Sequence, residues 1–465
     1  MTGSFDRRER VLVIGLGRSG IASCAVLRAR GATVFATDEK PRAALKATIV
    51  ELAASGVAFV EPDALESVLG SLTSCVVSPG VPLNIQLVRR VQAARISVYS
   101  EIEVAYRICK APMVAITGTK GKTTTTALVG AMFRRAGKTT HVGGNIGNAL
   151  INETFVAQSG EWVIAEVSSF QLESIRSFKP RVAAILNLSP DHLDRYHSME
   201  EYGEAKFRIF ANQGADDAFV GNLDDPIVAT LAEGESKRLP SRAYWYGIEP
   251  RRSTALYVRD GRITYAPPVG DPRPIEIMPT SEIPLLGAHN VSNVLAALLV
   301  GLAAGLEPQA LRAAVVDFEA LPHRLQRVAT HDGVAYVDDS KSTNPGSVVA
   351  ALDAFAEPIV LIAGGKSKRT EFAAMGAAIA RRARAVVLIG EAADEIAAVT
   401  AGVRVERATS LADAVERARA LAQPGDVVLL SPGCASFDMF ASAEARGEAF
   451  AAAARALPDS ARSAR

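Results

Sequence analysis

The segment Ile116–Thr125 reads ITGTKGKTTT, with two glycines, two lysines and a run of threonines inside ten residues. Only two residues separate Gly118 from Gly121, where the common phosphate-binding loop has four. The shortening keeps the physics. If a helix starts at the end of the segment, the backbone amides of Gly118, Thr119, Lys120 and Gly121 converge on phosphate oxygens, and Lys122 neutralises the terminal phosphates. Thr123 can place its hydroxyl on a magnesium ion, with Thr124 beside it. The bland alternative is an ordinary glycine-lysine turn, which accounts for neither the apolar run before it nor the threonines after it.

Further chemistry-bearing residues cluster at the ends of apolar runs. Glu166 opens EVSSFQLE, and Asp191-His192 lie in SPDHLDRY; a carboxylate and an imidazole delivered beside a phosphate loop are candidate Mg²⁺ ligands or their orienters. A lone loop histidine is more often structural, and Lys206 in YGEAK reads as a solvated helix lysine. Near the N-terminus, GLGRSG (Gly15–Gly20) follows one apolar run and Asp38 ends the next. That spacing suits a dinucleotide or another diphosphate, with Gly15 turning, Gly17 admitting the phosphates and Asp38 meeting a ribose hydroxyl, or else helix packing alone. Toward the C-terminus, DSKSTN (Asp339–Asn344), GGKSK (Gly364–Lys368) and SPGCASFD (Ser431–Asp438) each follow a strand-like run. Lys341 or Lys368 could pair with the carboxylates of an acidic substrate while Thr343 and Ser436 donate hydrogen bonds. Any one of these is equally well a solvated loop residue, and they gain force only as a set.

The elements that must carry these residues are legible as short, continuous apolar runs alternating with helix-forming stretches. Arg10–Ile14, Thr33–Thr37, Ser74–Val77, Met113–Ile116, Trp162–Val167, Val182–Asn187, Val334–Asp338, Ile359–Ala363, Ala385–Ile389 and Asp426–Leu430 read as strands. Strand and helix in alternation predict α/β units with parallel sheets, whose ligands gather at the C-terminal strand ends. The stretch 242–284, broken by proline and glycine, reads as antiparallel decoration, and a long Ala/Leu-rich helix follows Asn290. A chain of 465 residues suits three domains. With 51 basic and 50 acidic side chains, the net charge of +1 gives no single-signed field for nucleic acid or an anionic membrane. The four cysteines, Cys24, Cys75, Cys109 and Cys434, have no metal-binding spacing and read as reduced thiols. The charged start MTGSFDRRER and the lack of an apolar run long enough to span a bilayer predict a soluble, cytoplasmic protein without membrane insertion.

Taken together, TGTKGKTTT, GGNIG (Gly143–Gly147), EVSSFQLE, SPDHLDRY, YGEAK, GAHNVSN (Gly287–Asn293), LPHRLQ (Leu321–Gln326), VDDSKSTN and SPGCASFDMF resemble the Mur ligase family, in order and over almost the full chain. The resemblance implies three α/β domains: a Rossmann-like UDP-sugar domain at 1–103, a central P-loop-type ATP-binding parallel sheet with antiparallel decoration at 104–320, and a C-terminal Rossmann-like amino-acid domain at 321–465. It implies an ATP-dependent ligase whose substrates besides ATP are UDP-N-acetylmuramoyl-L-alanine and D-glutamate, working through an acyl phosphate in peptidoglycan precursor synthesis, and a monomer. By matching motif, Lys122 contacts the ATP phosphates, and Asn293, Arg324 and Asp339 surround adenine, phosphate and ribose. Thr123 and Glu166 hold one Mg²⁺, while His192 and Lys206 hold a second, Lys206 as a carbamate formed with CO₂. Lys341 is catalytic, and His192, Thr343, Lys368, Ser436 and Phe437 surround D-glutamate. Gly15, Gly17, Arg18, Ser19, Asp38, Ser78, Pro79 and Gly80 match the uridine-diphosphate pocket; Asn145, Ser168 and Gln171 match the rest of that substrate. Two positions depart from the pattern: Ala443 stands where an aromatic often covers the D-glutamate site, and Lys40 where an arginine is expected. The alternatives are a Mur ligase for another amino acid, such as L-glutamate, and a nicotinamide oxidoreductase built on GLGRSG.

Overall fold

The computed structural model describes residues 5–192, 195–232, 239–268, 273–367 and 371–458. Lys368 lies outside the described residues. The chain forms two compact units, Met1–Ile283 with Ser292–Phe318, and Pro284–Val291 with Glu319–Arg465.

The first unit holds two sheets. Strands β1 (Arg10–Ile14), β2 (Thr33–Thr37), β3 (Ala58–Phe59), β4 (Ser74–Val77) and β5 (Ser97–Ser100) pair in parallel in the order β3-β2-β1-β4-β5. Alternate residues of these strands feed two cores: Val11, Val13 and Val76 enter one, Leu12, Ile14 and Cys75 the other. Both faces are therefore covered, as a near-continuous apolar strand such as RVLVI requires. The second sheet comprises β6 (Met113–Thr117), β7 (Thr140–Gly144), β8 (Trp162–Glu166), β9 (Val182–Ile185), β10 (Ala218–Asn222), β11 (Arg242–Tyr246), β12 (Thr254–Arg259), β13 (Arg262–Tyr265) and β14 (Ile275–Pro279). Its order is β14-β13-β12-β11-β10-β9-β6-β8-β7. The antiparallel decoration is the meander β12-β13-β14, and it extends this sheet rather than standing apart from it. β11, at the start of the same stretch, pairs in parallel with β10 and with β12.

The second unit is built on β15 (Gln326–His331), β16 (Val334–Asp338), β17 (Ile359–Gly364), β18 (Ala383–Ile389), β19 (Arg404–Arg407) and β20 (Val427–Leu430), ordered β15-β16-β20-β17-β18-β19. All neighbours are parallel except β15 against β16. Leu361 and Leu429 face one core while Val360 and Val428 face the other, so this sheet too is covered on both sides. Cys24, Cys75 and Cys434 are buried, Cys109 is half-buried, and none of the four is in a disulfide. Among the described residues, no helix is long and apolar enough to cross a membrane.

The two sheets of the first unit are braced by the helix Glu101–Ile108, which buries two carboxylates completely. Glu103 accepts hydrogen bonds from the backbone N–H of Arg176, Ser177 and Phe178, from Ser177 Oγ (2.5 Å) and from Arg107 Nε (2.7 Å). Burial pushes its pKa up, but the bonds from Ser177, Arg176 and Arg107 outweigh burial and hold it below the ordinary value. Glu101 has no such cage. Burial lifts its pKa to about 7 even though it accepts a bond from Ile151 N–H (2.7 Å). Losing one partner of a buried charged network costs roughly 3 kcal/mol, so Glu103→Gln should unfold the first unit at lower denaturant, seen as an earlier transition in urea. Because the native pKa is depressed, the stabilisation by Glu103 is full above the unfolded value and is lost as pH falls through the native one. A wild-type urea midpoint in Glu103→Gln would contradict this bracing role.

Candidate functional site

The ITGTKGKTTT segment is a loop leaving β6 and entering the helix Lys122–Arg135, whose N-cap is Gly121. Gly121 adopts φ of 79°, a left-handed conformation, and a Cβ placed there would lie 2.1 Å from Asn293 Oδ1. Glycine is thus required twice, by backbone geometry and by the approach of Asn293. A second strand end laces the loop open: Thr119 N–H donates to Asn187 O (2.9 Å), Lys120 N–H to Asn187 Oδ1 (2.8 Å), and Asn187 Nδ2 to Lys120 O (3.1 Å). Thr119 Oγ1 lies 3.1 Å from the hydroxyl of Tyr202. Lys122 Nζ donates to the carbonyls of Gly118 and Thr119, both at 2.9 Å, so its ammonium sits at the loop itself.

Lys206 is not solvated. It lies on the helix Met199–Phe207, 2 % exposed, with Nζ 3.0 Å from Gly118 O and 4.8 Å from the centre of the Tyr202 ring. Burial, then the nearby charge of Lys122, lowers its pKa to about 7, against the opposing pull of Asp191 and Glu166. Lys122, Glu166, Asp191 and Lys206 therefore occupy one electrostatic neighbourhood. Glu166 ends β8 and is almost wholly buried; Asn145 Nδ2 donates to its Oε1 (2.9 Å), and among the described residues its buried Oε2 has no hydrogen-bond partner. A bare carboxylate oxygen in a dry site is costly unless a cation meets it. With Thr123 in the first turn of the adjoining helix, this donor set suits Mg²⁺, which takes few protein ligands beside phosphates and water. Among the described residues, no three His, Cys, Asp or Glu side chains form a metal-holding group. His192 takes φ of 56°, packs on Phe170 with ring centres 4.7 Å apart, and is about half exposed.

Beside Asn145 opens a cavity of about 620 Å³ between the two sheets of the first unit. Its lining includes Gly15, Gly17, Arg18, Ser19, Asp38, Ser78, Pro79, Gly80, Asn145 and Gln171, together with Lys40. Gly17 leaves open space where a Cβ would stand, so the cavity reaches the backbone there. Asp38 serves the loop first: its carboxylate accepts from Leu16 N–H (2.6 Å) and Lys40 N–H (2.9 Å). Ser168 does not line the cavity. It caps the short helix Ser169–Leu172 in a reciprocal box with Gln171, donating its own N–H to Gln171 Oε1 (2.9 Å) and accepting from Gln171 N–H.

In the second unit, the ends of β16, β17 and β20 carry the remaining residues. Asp339 is buried, accepts from Ser342 Oγ (2.5 Å) and Ser431 Oγ (2.9 Å), and is raised to about 6 by burial against those bonds. Arg324 is exposed, Thr343 half-buried, Ser436 buried and Phe437 exposed. Lys341 pairs with Glu444, which holds that carboxylate at about 2. Ala443 begins the helix Ala443–Arg455, and its carbonyl accepts from Ser340 Oγ (2.7 Å). Sequence reasoning missed the residue that ties these loops together. Arg446, 1 % exposed, donates to Ser340 Oγ (3.0 Å), Ser340 O (2.9 Å), Cys434 O and Ala435 O. It also missed Asn187, Tyr202 and the His323–Asp338 pair (2.6 Å). Gly447 packs against that pair, where a Cβ would lie 2.1 Å from His323 Nδ1 and 2.6 Å from Asp338 Oδ2.

Comparison with known proteins agrees with this arrangement. Family models match as Mur ligase MurD-like N-terminal domain at residues 9–100, Mur ligase middle domain at 116–301, and Mur ligase glutamate ligase domain at 323–434. The UDP-N-acetylmuramoylalanine–D-glutamate ligase of Koribacter versatilis is 42% identical over 444 residues, 96% of either chain. That of Geobacter metallireducens is 43% identical over 450 residues, 97% of this chain and 98% of its own. Among solved structures, the MurF ligase of Thermotoga maritima in complex with ADP superposes with a TM-score of 0.59 at 15% identity, covering 91% of this chain and 94% of that one. UDP-N-acetylmuramate-alanine ligase MurC of the same organism gives 0.58 at 18% identity, covering 95% and 98%. These two show the shared fold. Phosphate loop, bare carboxylate, buried lysine and three matching domain models together establish that the chain belongs to the Mur ligase family.

Proposed function

We infer that the chain joins D-glutamate to UDP-N-acetylmuramoyl-L-alanine with cleavage of ATP to ADP and phosphate, in peptidoglycan precursor synthesis. Relatives 41–43% identical over nearly the whole chain carry that activity in their names. The observation that carries the reading here is Asn145, which lines the large cavity and also holds Glu166 beside the phosphate loop. One amide thus connects the place for a nucleotide-sugar substrate to the place for a triphosphate.

The L-alanyl carboxylate attacks the terminal phosphorus of ATP and ADP leaves. The free amine of D-glutamate then attacks the acyl phosphate carbon, loses a proton, and collapse of the tetrahedral intermediate expels inorganic phosphate and leaves an amide. Carboxylate, triphosphate and glutamate are all anionic, so their approach needs fixed positive charge and tight positioning. Lys122 and the loop amides take the phosphates, with Asn293, Arg324 and Asp339 assigned to the rest of ATP. Glu166 and Thr123 would hold Mg²⁺, which when bound would add neutralising charge on the triphosphate. We assign Lys341, Thr343, Lys368, Ser436 and Phe437 to D-glutamate, and domain limits of 1–103, 104–320 and 321–465, for a cytoplasmic monomer.

A second Mg²⁺ held by His192 and Lys206 is the finer part of the reading. The depressed pKa of Lys206 favours it, because a neutral amine can add CO₂, releasing one proton and becoming an anionic oxygen ligand. Lys206→Ala should then lose roughly a hundredfold in turnover, and short carboxylates should restore part of it. Full activity of Lys206→Ala without additive would refute the carbamate. The overall function is tested by phosphate release from ATP and Mg²⁺ with UDP-N-acetylmuramoyl-L-alanine and, in turn, D-glutamate, L-glutamate, diaminopimelate or no acceptor. Release with D-glutamate alone, and one new amide by mass, is expected. Preference for another acceptor would shift the specificity, and no release with any would overturn the reading.

A further inference from the structure

A second cavity in the first unit, of about 510 Å³, shares no lining residue with the first. It lies where the segment Arg95–Val98, leading into β5, meets the segment Glu173–Arg176 and Arg208. Arg95, Arg176 and Arg208 line it, and among the described residues none of them forms an ion pair with a carboxylate. Arg208 spends Nε and Nη2 on the carbonyls of Leu172 and Ile175, both at 2.8 Å, which fixes the group without cancelling its charge. Arg176 lies over the Tyr99 ring at 5.0 Å, with Nη1 3.3 Å from Ser97 Oγ. The lining carboxylate, Glu173, is already committed: Tyr196 Oη and Arg195 Nη2 each donate to it at 2.6 Å.

Oriented guanidiniums without counter-charge repel one another, and an oxyanion relieves that repulsion through paired N–H donors. The volume fits a small molecule and exceeds what one phosphate fills. We propose that this cavity binds a compact polyanion carrying two or more phosphate or carboxylate groups, bridging Arg95 on one side of the seam and Arg176 and Arg208 on the other. Such a ligand braces the two lobes and raises the stability of the unit with the logarithm of its concentration once that exceeds the Kd.

The test titrates the full-length protein, free of Mg²⁺, with tricarballylate and with pyrophosphate by calorimetry and thermal melting, against sodium chloride of equal ionic strength. Saturable binding of at least one probe, with a rise in melting temperature that chloride does not reproduce, is expected in the wild type and in Lys122→Ala. The Arg95→Ala/Arg176→Ala variant should bind at least tenfold more weakly while melting as the wild type does without anion. Should that variant melt low, Arg95→Glu, a change at an exposed residue, carries the same expectation. Binding of tricarballylate alone marks carboxylates as the ligand class, and of pyrophosphate alone, phosphates. The proposal falls if neither probe saturates the wild type, if the arginine variants bind as tightly as the wild type, or if binding disappears in Lys122→Ala, which would put the anion on the phosphate loop.

Discussion

A carboxylate oxygen buried without a partner is the constraint around which the first unit is organised. Among the described residues Glu166 Oε2 has no donor, while Oε1 is held by Asn145 and the side chain is almost fully enclosed. Such an arrangement persists only because the surrounding fold enforces it, and it gains its return when a cation binds. The neighbours are consistent with that role. Lys122 and Lys206 place two amines near it, and burial together with Lys122 depresses the pKa of Lys206 toward neutrality.

The scaffold keeps these groups from relaxing. Asn187 fastens the phosphate loop to the next strand end, and the left-handed Gly121 lets Asn293 close against it. Below them, Glu103 gathers three backbone N–H groups and Arg107, locking the lobe of β1–β5 to that of β6–β14. The cavity between the lobes is therefore a preformed feature, and Asn145 links it to Glu166 without a flexible element between. In the second unit Arg446 plays the corresponding part, a buried cation whose donors all go to the loops after β16 and β20.

Strands were the most legible part of the sequence, because both faces of a parallel sheet are buried and runs such as RVLVI and IVLIA have no polar alternation to confuse them. The phosphate loop was legible for a similar reason: glycine and lysine at fixed offsets after a buried strand leave few other uses. Lys206 was not. Its neighbours Glu204 and Arg208 are polar and exposed, and nothing in YGEAK marks the one side chain that turns inward. Glu101 and Glu103 likewise look like ordinary acids at a helix start, and their burial arises from contact with residues about 50 to 75 positions away. The EVSSFQLE motif groups Ser168 with substrate contacts, and its hydrogen bonds in the fold are those of a helix cap. Motif resemblance reports which residues recur together; it does not separate those that touch ligand from those that shape the loop.

In the proposed reaction the substrate carboxylate is activated by phosphorylation before the amine attacks. The most direct measurement uses UDP-N-acetylmuramoyl-L-alanine labelled with ¹⁸O in both carboxylate oxygens, turned over with ATP, Mg²⁺ and D-glutamate. One labelled oxygen should appear in each released phosphate and the other in the new amide carbonyl. Phosphate released without label, alongside amide formation, would contradict an acyl phosphate and with it the role given to the site around Glu166.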